Sequence, residues 1–198
     1  FRSNKEDIKE KVYKYFNIDE NKKIILYAPT YRKNINIDVY KFNMEKCLKI
    51  AENKFKNKYV FLVRLHPLLF KYNKCFEYSN DIINATLYPD VQELLAVTDI
   101  GITDYSSISF DLGMTGKKVF LYCKDLEEYL KKERNLNIDI ETLPFELSQS
   151  EEELFSNIQN FDLKKYTIEC NSFFDKVKMI RTDEASKKIV NIIKGKMK

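Results

Sequence analysis

The stretch "DIGITDYSSISFDL", residues 99–112, begins as a strand and finishes as a helix, with a polar cluster at the join. Asp99-Ile100-Gly101-Ile102-Thr103 has the alternation of a short strand. Asp104-Tyr105-Ser106-Ser107 supplies the side chains that cap helix N-termini, and Ile108, Phe110, Leu112 and Met114 follow. A strand passing directly into a helix is the unit from which parallel α/β sheets are assembled. The join carries hydroxyls and a carboxylate where a phosphate-binding loop ordinarily has glycines, and the whole chain has only four glycines.

Working outward, the same alternation recurs. "KEDIKEKVYKYF" (5–16) places Ile8, Val12, Tyr15 and Phe16 on one helical face. "KKIILYAPTYR" is a buried strand over 23–28 stopped by Pro29, whose ring pushes Ala28 away from helical geometry. Residues 39–55 are helical in pattern, and "KYVFLVRLHP" (58–67) is a second strand-forming run that ends at a proline. "IINATLYPD" reads as a short strand and turn, and "DVQELLAVT" as a helix opened by Pro89-Asp90. "KKVFLYCKD" (117–125) is a further strand and "LEEYLKKER" a further helix. From about 149 the pattern changes: "SQSEEELFSNI" sets an N-cap serine before an acidic first turn, and helices run on to the basic end "KKIVNIIKGKMK". Near-continuously apolar strands alternating with helices predict a Rossmann-like parallel sheet of five or six strands, with helices on both faces and a helical tail. We read residues 1–198 as one such α/β domain.

Composition narrows the function classes. Hydrophobic content of 44% and charged content of 32% suit a globular chain with a substantial core. No apolar run approaches the roughly 20 residues that span a bilayer. A net charge of +4, from 34 basic and 30 acidic residues, is too small and dispersed to imply nucleic acid. Cys47, Cys75, Cys123 and Cys170 lie far apart beside a single histidine, which argues against a zinc site and for reduced thiols in a cytoplasmic setting. The Phe-Arg-Ser start, with neither an initiator Met nor a signal peptide, reads as a piece of a longer chain.

In open parallel sheets ligands bind beyond the carboxyl ends of the strands. Three such ends carry polar groups here: Thr30-Tyr31-Arg32, Arg64-Leu65-His66-Pro67, and Asp104-Tyr105-Ser106-Ser107. Ser106 and Ser107 at a helix start suit a phosphate, whereas Asp104 suits capping, orienting a neighbour, or meeting a sugar or glycerol hydroxyl; the plain alternative is an ordinary N-cap. Arg64, in an otherwise apolar strand, needs an anionic partner: a phosphate, or a carboxylate in a structural ion pair. His66 can donate to a phosphate or exchange a proton, or simply sit at the rim beside Pro67. Thr30 and Arg32 are weaker candidates, since "PTYR" also suits a loop with a solvated arginine. Tyr105 at the rim is placed to stack on a base.

"ILYAPTYR", "RLHP", "ITDYSSISFDL" and "VFLYCKDLEEY", in that order and spacing, resemble the carboxy-terminal half of the CDP-glycerol glycerophosphotransferase family, over roughly residues 1–195. The resemblance implies half of a GT-B fold, the domain that holds the donor, facing an amino-terminal domain across a cleft. It implies attack of an acceptor hydroxyl, on a polymer or a lipid-linked chain, at the β-phosphorus of CDP-glycerol or CDP-ribitol, with release of CMP. It makes His66 the catalytic histidine of the donor side, with Arg64, Ser106 and Ser107 cradling the diphosphate and Asp104 orienting the site; Thr30, Arg32 and Tyr105 complete the expected donor-binding set by their place at the strand ends. It places the enzyme in the cytoplasm at the inner membrane face, in teichoic-acid or capsule polymer synthesis; the end "KKIVNIIKGKMK" suits anionic lipid as a basic amphipathic segment and, more simply, an ordinary solvated final helix. No cofactor or metal is expected, because Arg64, His66 and the helix start already offer positive charge. The sequence departs from the family pattern at Lys118-Val119, Arg134-Asn135-Leu136, "LPFEL" and Asp183-Glu184-Ala185. Two readings compete: a GT-B glycosyltransferase that uses a nucleotide-sugar, and a nucleotide-binding module without turnover.

Overall fold

The computed structural model describes residues 5–133, 136–179 and 185–196. The departures at Arg134, Asn135, Asp183 and Glu184 therefore lie outside the described residues. Six parallel strands form one sheet: β1 (Lys22–Tyr27), β2 (Lys58–Val63), β3 (Ile82–Asn84), β4 (Ile100–Thr103), β5 (Lys118–Tyr122) and β6 (Glu146–Ser148). Their spatial order is β3-β2-β1-β4-β5-β6, the doubly wound Rossmann order. The central strands are buried on both faces, which explains their unbroken apolar runs.

Helices cover both faces. Helix α2 (Met44–Phe55) packs on β2 and against α6 (Glu151–Gln159), which covers β5 and β6. On the other face α3 (Val91–Val97) packs on β1 and against α1 (Lys5–Phe16), and α4 (Ile108–Met114) packs on β4, β5 and α7 (Leu163–Lys176). Helix α5 (Leu126–Lys132) follows β5, and α8 (Ala185–Lys196) ends the described chain with its side chains exposed from Ser186 onward.

Two local expectations are corrected. The helical pattern over 39–55 is broken at 41–43, because the Asn43 side chain accepts from Lys46 N and starts α2 afresh after a 3-10 turn at Ile37–Tyr40. In α1 the buried aromatic is Tyr13, whose hydroxyl reaches Lys22 O; Tyr15 is 59% exposed. Strand β6 has only three residues, too few for a periodic signal.

Strand order sets where the sheet edge opens. Chain direction across the sheet reverses between β1 and β4, so the loops leaving these two strands part to opposite faces and open a crevice between them. Pro29, Pro67 and Ser106 all follow strands of one parallel sheet and share that edge.

Helix α4 sits beside this crevice because Gly113 lets it approach α7. A Cβ there would lie 2.8 Å and 2.9 Å from the Phe145 ring and 3.2 Å from Phe174. Gly113→Ala gains up to ~1 kcal/mol of helix propensity. It must also displace buried rings, an overpacking cost of about 1–3 kcal/mol. We expect a net loss on the order of 1 kcal/mol in urea unfolding; a more stable variant would contradict this packing.

Candidate donor-binding site at the sheet switch point

The residue that organises the crevice is Arg32. Its guanidinium is 96% buried, with Nη1 2.9 Å from Asp104 Oδ2, and Nε and Nη2 on Asp125 at 2.8 and 3.0 Å. Nη1 also donates to Thr30 O. Its Cζ lies 4.8 Å from the Tyr105 ring centroid, 5.0 Å from Tyr129 and 5.3 Å from Tyr40. Burial alone would lower the Arg32 pKa, but the hydrogen bonds and charges of Asp125 and Asp104 outweigh it and raise it. Arg32 is not the solvated loop arginine that "PTYR" also allowed: its guanidinium is engaged within the protein and ties the ends of β1, β4 and β5 together.

Asp104 is equally committed. It accepts from Thr30 N at 2.8 and 3.0 Å and from Tyr105 N at 2.6 Å, besides its ion pair. Of its sequence-level roles, orienting a neighbour is the one its contacts fit; it does not cap α4. Tyr105 is corrected as well. Its ring stacks on Tyr129 at 3.7 Å and its hydroxyl donates to Asp125 Oδ1 at 2.9 Å, so that face is not open to a base. Burial, then the charges of Cys123 and Asp125, push its phenol far above the ordinary range. Asp125 was not singled out from the sequence. The signal that would have found it is its place just past β5, at the same edge as the other three strand ends.

Ser106 and Ser107 stand at the start of α4, Ser106 half-buried and Ser107 exposed. Neither makes a strong cap: the Ser107 side chain has no capping bond, and Ser106 Oγ is 3.5 Å from Ile108 N. Two first-turn donors are used internally, Ser109 N to Ser106 O and Phe110 N to Ser107 O. What faces outward is therefore hydroxyl chemistry more than free backbone N–H. A cavity of about 520 Å³ opens beside them, bounded by Thr30, Tyr129 and the 136–143 loop.

The β2 end is arranged differently. Arg64 Nη1 donates to Tyr88 O at 2.5 Å and Ala85 O at 3.4 Å, clamping the loop after β3. The structural ion pair that the sequence allowed is absent among the described residues, and burial lowers the Arg64 pKa. Arg64 does not line the serine cavity. His66 is exposed and caps the 3-10 helix Pro67–Cys75, Nδ1 accepting from Leu68 N at 3.2 Å. With Nδ1 an acceptor, the ring proton resides on Nε2, which leaves a donor facing out. Tyr31, between the two halves, packs its ring 5.3 Å from His66. The β2 and β4 ends are separated by one strand, roughly 10 Å. One loop, Thr30-Tyr31-Arg32, thus touches the serine cavity, the histidine and the ion cluster.

Comparison with known proteins follows this geometry. The family model for CDP-glycerol:poly(glycerophosphate) glycerophosphotransferase matches residues 1–195. A teichoic acid poly(glycerol phosphate) polymerase of Bacillus spizizenii is 31% identical over 98% of this chain and 50% of its own length. A teichoic acid poly(ribitol-phosphate) polymerase of the same organism is 29% identical over 94% of this chain and 30% of its own. Solved structures of the wall teichoic acid polymerase TagF, one a variant soaked with CDPG, superpose with TM-scores of 0.74 and 0.73 at 28% identity, covering 98% of this chain and 48% and 47% of theirs. The chain spans about half the length of the poly(glycerol phosphate) polymerase it matches.

The ion cluster makes a pH prediction. Burial would raise Asp125, yet the Arg32 hydrogen bonds and charge, helped by Tyr105, hold it below its ordinary value. A depressed carboxylate contributes fully above its unfolded pKa of about 3.9 and loses that contribution as pH falls through the folded value. Asp125→Asn should therefore be less stable than wild type at neutral pH and close the gap below about pH 4. Arg32→Leu, which strands two buried carboxylates, should cost about 3–5 kcal/mol. Chemical denaturation at pH 7 and pH 3 measures both; parallel pH curves for wild type and Asp125→Asn would contradict the assignment.

Proposed function

The chain belongs to the CDP-glycerol:poly(glycerophosphate) glycerophosphotransferase family, and from that membership we propose that it is the donor-binding half of a polyol-phosphate transferase. The donor is CDP-glycerol or CDP-ribitol, and the acceptor a hydroxyl on a growing or lipid-linked polymer. The acceptor oxygen forms the new bond to the β-phosphorus as the bridge to the α-phosphate breaks, and CMP leaves. The acceptor proton passes to a base on an amino-terminal domain.

The observation that carries this reading is the meeting of three strand ends at one switch point. There a fixed loop joins His66 to the Ser106/Ser107 helix start. Transfer of this kind needs positioning and charge stabilisation more than covalent catalysis. His66 Nε2–H is a donor held in one orientation by its Nδ1 contact, suited to the leaving phosphate. Ser106 and Ser107 offer hydroxyls to the diphosphate. Arg64 is a reserve cation at the β2 side, able to exchange a carbonyl for a phosphate. Thr30, Arg32, Asp104 and Tyr105 hold the loop, and Thr30, Asp104 and Tyr105 also border the cavity beside the serines. Transfer is metal-independent on this reading, since Asp104 is already paired with Arg32.

We place the enzyme in the cytoplasm with peripheral membrane contact through α8. Its exposed Ile189, Val190, Ile192 and Ile193 lie beside Lys187, Lys188 and Lys194, a pattern suited to anionic lipid. No helix among the described residues is long and apolar enough to cross a membrane. Cosedimentation with anionic vesicles, lost with zwitterionic ones, is the expected result.

Titration of the 198-residue chain with CDP and cytidine tests the donor site. CDP should bind more tightly than cytidine, and increasingly so as salt falls. Ser106→Ala with Ser107→Ala should weaken CDP about tenfold or more, a charge-assisted hydrogen bond being worth about 1.5–3 kcal/mol, and leave cytidine unchanged. In the two-domain protein, His66→Gln, which keeps a donor near the Nε2 position, should retain far more rate than His66→Asn. Equal affinity for CDP and cytidine would show that the donor site is elsewhere.

A further inference from the structure

The exposed side chain of His66 has two anchors among the described residues. Its Nδ1 accepts from Leu68 N at 3.2 Å, and its ring lies 5.3 Å from the Tyr31 ring, centroid to centroid, with 41° between the planes. The torsion that turns an imidazole about its bond to Cβ is broad and roughly two-fold. One hydrogen bond at the long end of the range therefore leaves an exposed ring loosely set. Turned over, the ring would present carbon to Leu68 N, and its Nε2–H would point elsewhere. Contact against the ring face is what removes that freedom, and Tyr31 supplies it.

Tyr31 is well placed to hold another side chain, because it is itself held. It is half-buried and packs against the core. The residues on either side of it are fixed through their backbone N–H groups. Thr30 N donates to Asp104 at 2.8 and 3.0 Å, and Arg32 N donates to the Tyr40 hydroxyl at 3.1 Å. Tyr40 is buried, and its carbonyl accepts from the Tyr27 hydroxyl at 2.9 Å. The backbone that carries Tyr31 is thus located by groups on and past β1 and β4, while its ring meets a residue just past β2. The contact is ring to ring, so it requires aromatic surface and not the hydroxyl.

We propose that Tyr31 is a positioning residue for His66: its ring fixes the plane of the imidazole, so that Nδ1 stays on Leu68 N and the Nε2–H donor keeps one direction. Tyr31 acts only through the histidine and touches no reacting atom. Its effect on rate rests on the donor-site reading above, whereas its effect on the ring does not. The ion cluster thereby reaches beyond its own strands: carboxylates past β4 and β5 fix the loop, and one aromatic side chain of that loop carries the placement to β2.

His66 is the single histidine of the 198-residue chain, so its ring nitrogens are identified without ambiguity by NMR. With the ring neutral, wild type should show one tautomer, protonated at Nε2 and accepting at Nδ1. Tyr31→Leu keeps apolar volume without the ring and should give averaged nitrogen shifts and faster exchange of the Leu68 amide. Tyr31→Phe keeps the ring and should restore the wild-type spectrum. Tyr31→Met makes the same comparison should Tyr31→Leu not fold. In the two-domain protein, Tyr31→Leu should lower kcat about 2–10-fold, the worth of one aromatic pair, with the donor KM nearly unchanged. Tyr31→Phe should recover most of that loss. Wild-type nitrogen shifts in folded Tyr31→Leu would overturn the proposal. Equal losses in Tyr31→Leu and Tyr31→Phe would assign the role to the hydroxyl and overturn it too. A slow His66→Asn enzyme beside an unimpaired Tyr31→Leu enzyme would overturn this inference and leave the donor site standing. Full rate in His66→Asn would instead overturn the donor-site reading, and with it any effect of Tyr31 on catalysis.

Discussion

One guanidinium shared by two carboxylates sets the geometry of everything at the working edge of this sheet. Arg32 follows β1, Asp104 follows β4 and Asp125 follows β5, so the cluster joins three strand ends at the place where the winding reverses. That place is where a doubly wound fold has least helix cover and most need of something to fix its loops. Burying three charges is not the most stabilising way to close a crevice, since well-packed apolar groups of equal volume generally do as well or better. The cluster offers direction instead. Its hydrogen bonds reach the N–H and carbonyl of Thr30 and the hydroxyl of Tyr105, so the 28–32 loop is tied on both sides of Thr30.

This arrangement explains which parts of the molecule were legible in the sequence. Strands buried on both faces announce themselves as apolar runs, and prolines after two of them mark their ends, so the order of elements through β5 could be read directly. The same reading placed its candidate residues on one edge, because position past a strand end is itself a sequence property. It could not find pairing. Arg32 lies 93 residues from Asp125, and nothing local in "PTYR" distinguishes an arginine in solvent from one between two acids. Tyr105 failed for the same reason: a rim tyrosine is a stacking platform only if its face is vacant, and Tyr129, 24 residues later, covers it. The "SSI" helix start was legible as a cap sequence. How little capping its serines perform depends on the tight first turn of α4, which sequence does not display.

The family's named relatives work on two polyols, glycerol phosphate and ribitol phosphate, within a common sequence pattern. A fold that serves both must separate the recognition of what is shared from the recognition of what differs. On the donor-site reading, the shared nucleoside diphosphate belongs to the β2 side and the rim, where His66, Arg64 and the serines stand on two rigid strand ends.

Charge enforces the same polarity. The groups able to offer positive charge or a donated proton, Arg64 and His66, sit just past β2, whereas the ion cluster behind β4 and β5 is net negative. A diphosphate laid across the strand ends therefore experiences a gradient along its own axis. Its leaving side is drawn toward β2, where Nε2–H of His66 is held outward, and its uncharged substituent is left toward β5. Reversing the donor would place phosphate charge against Asp104 and hydroxyls against Arg64, losing on both sides. On the donor-site reading, the buried cluster that fixes the loop also sets which way round a donor lies, and a two-ended substrate needs both constraints before an acceptor can reach the correct phosphorus.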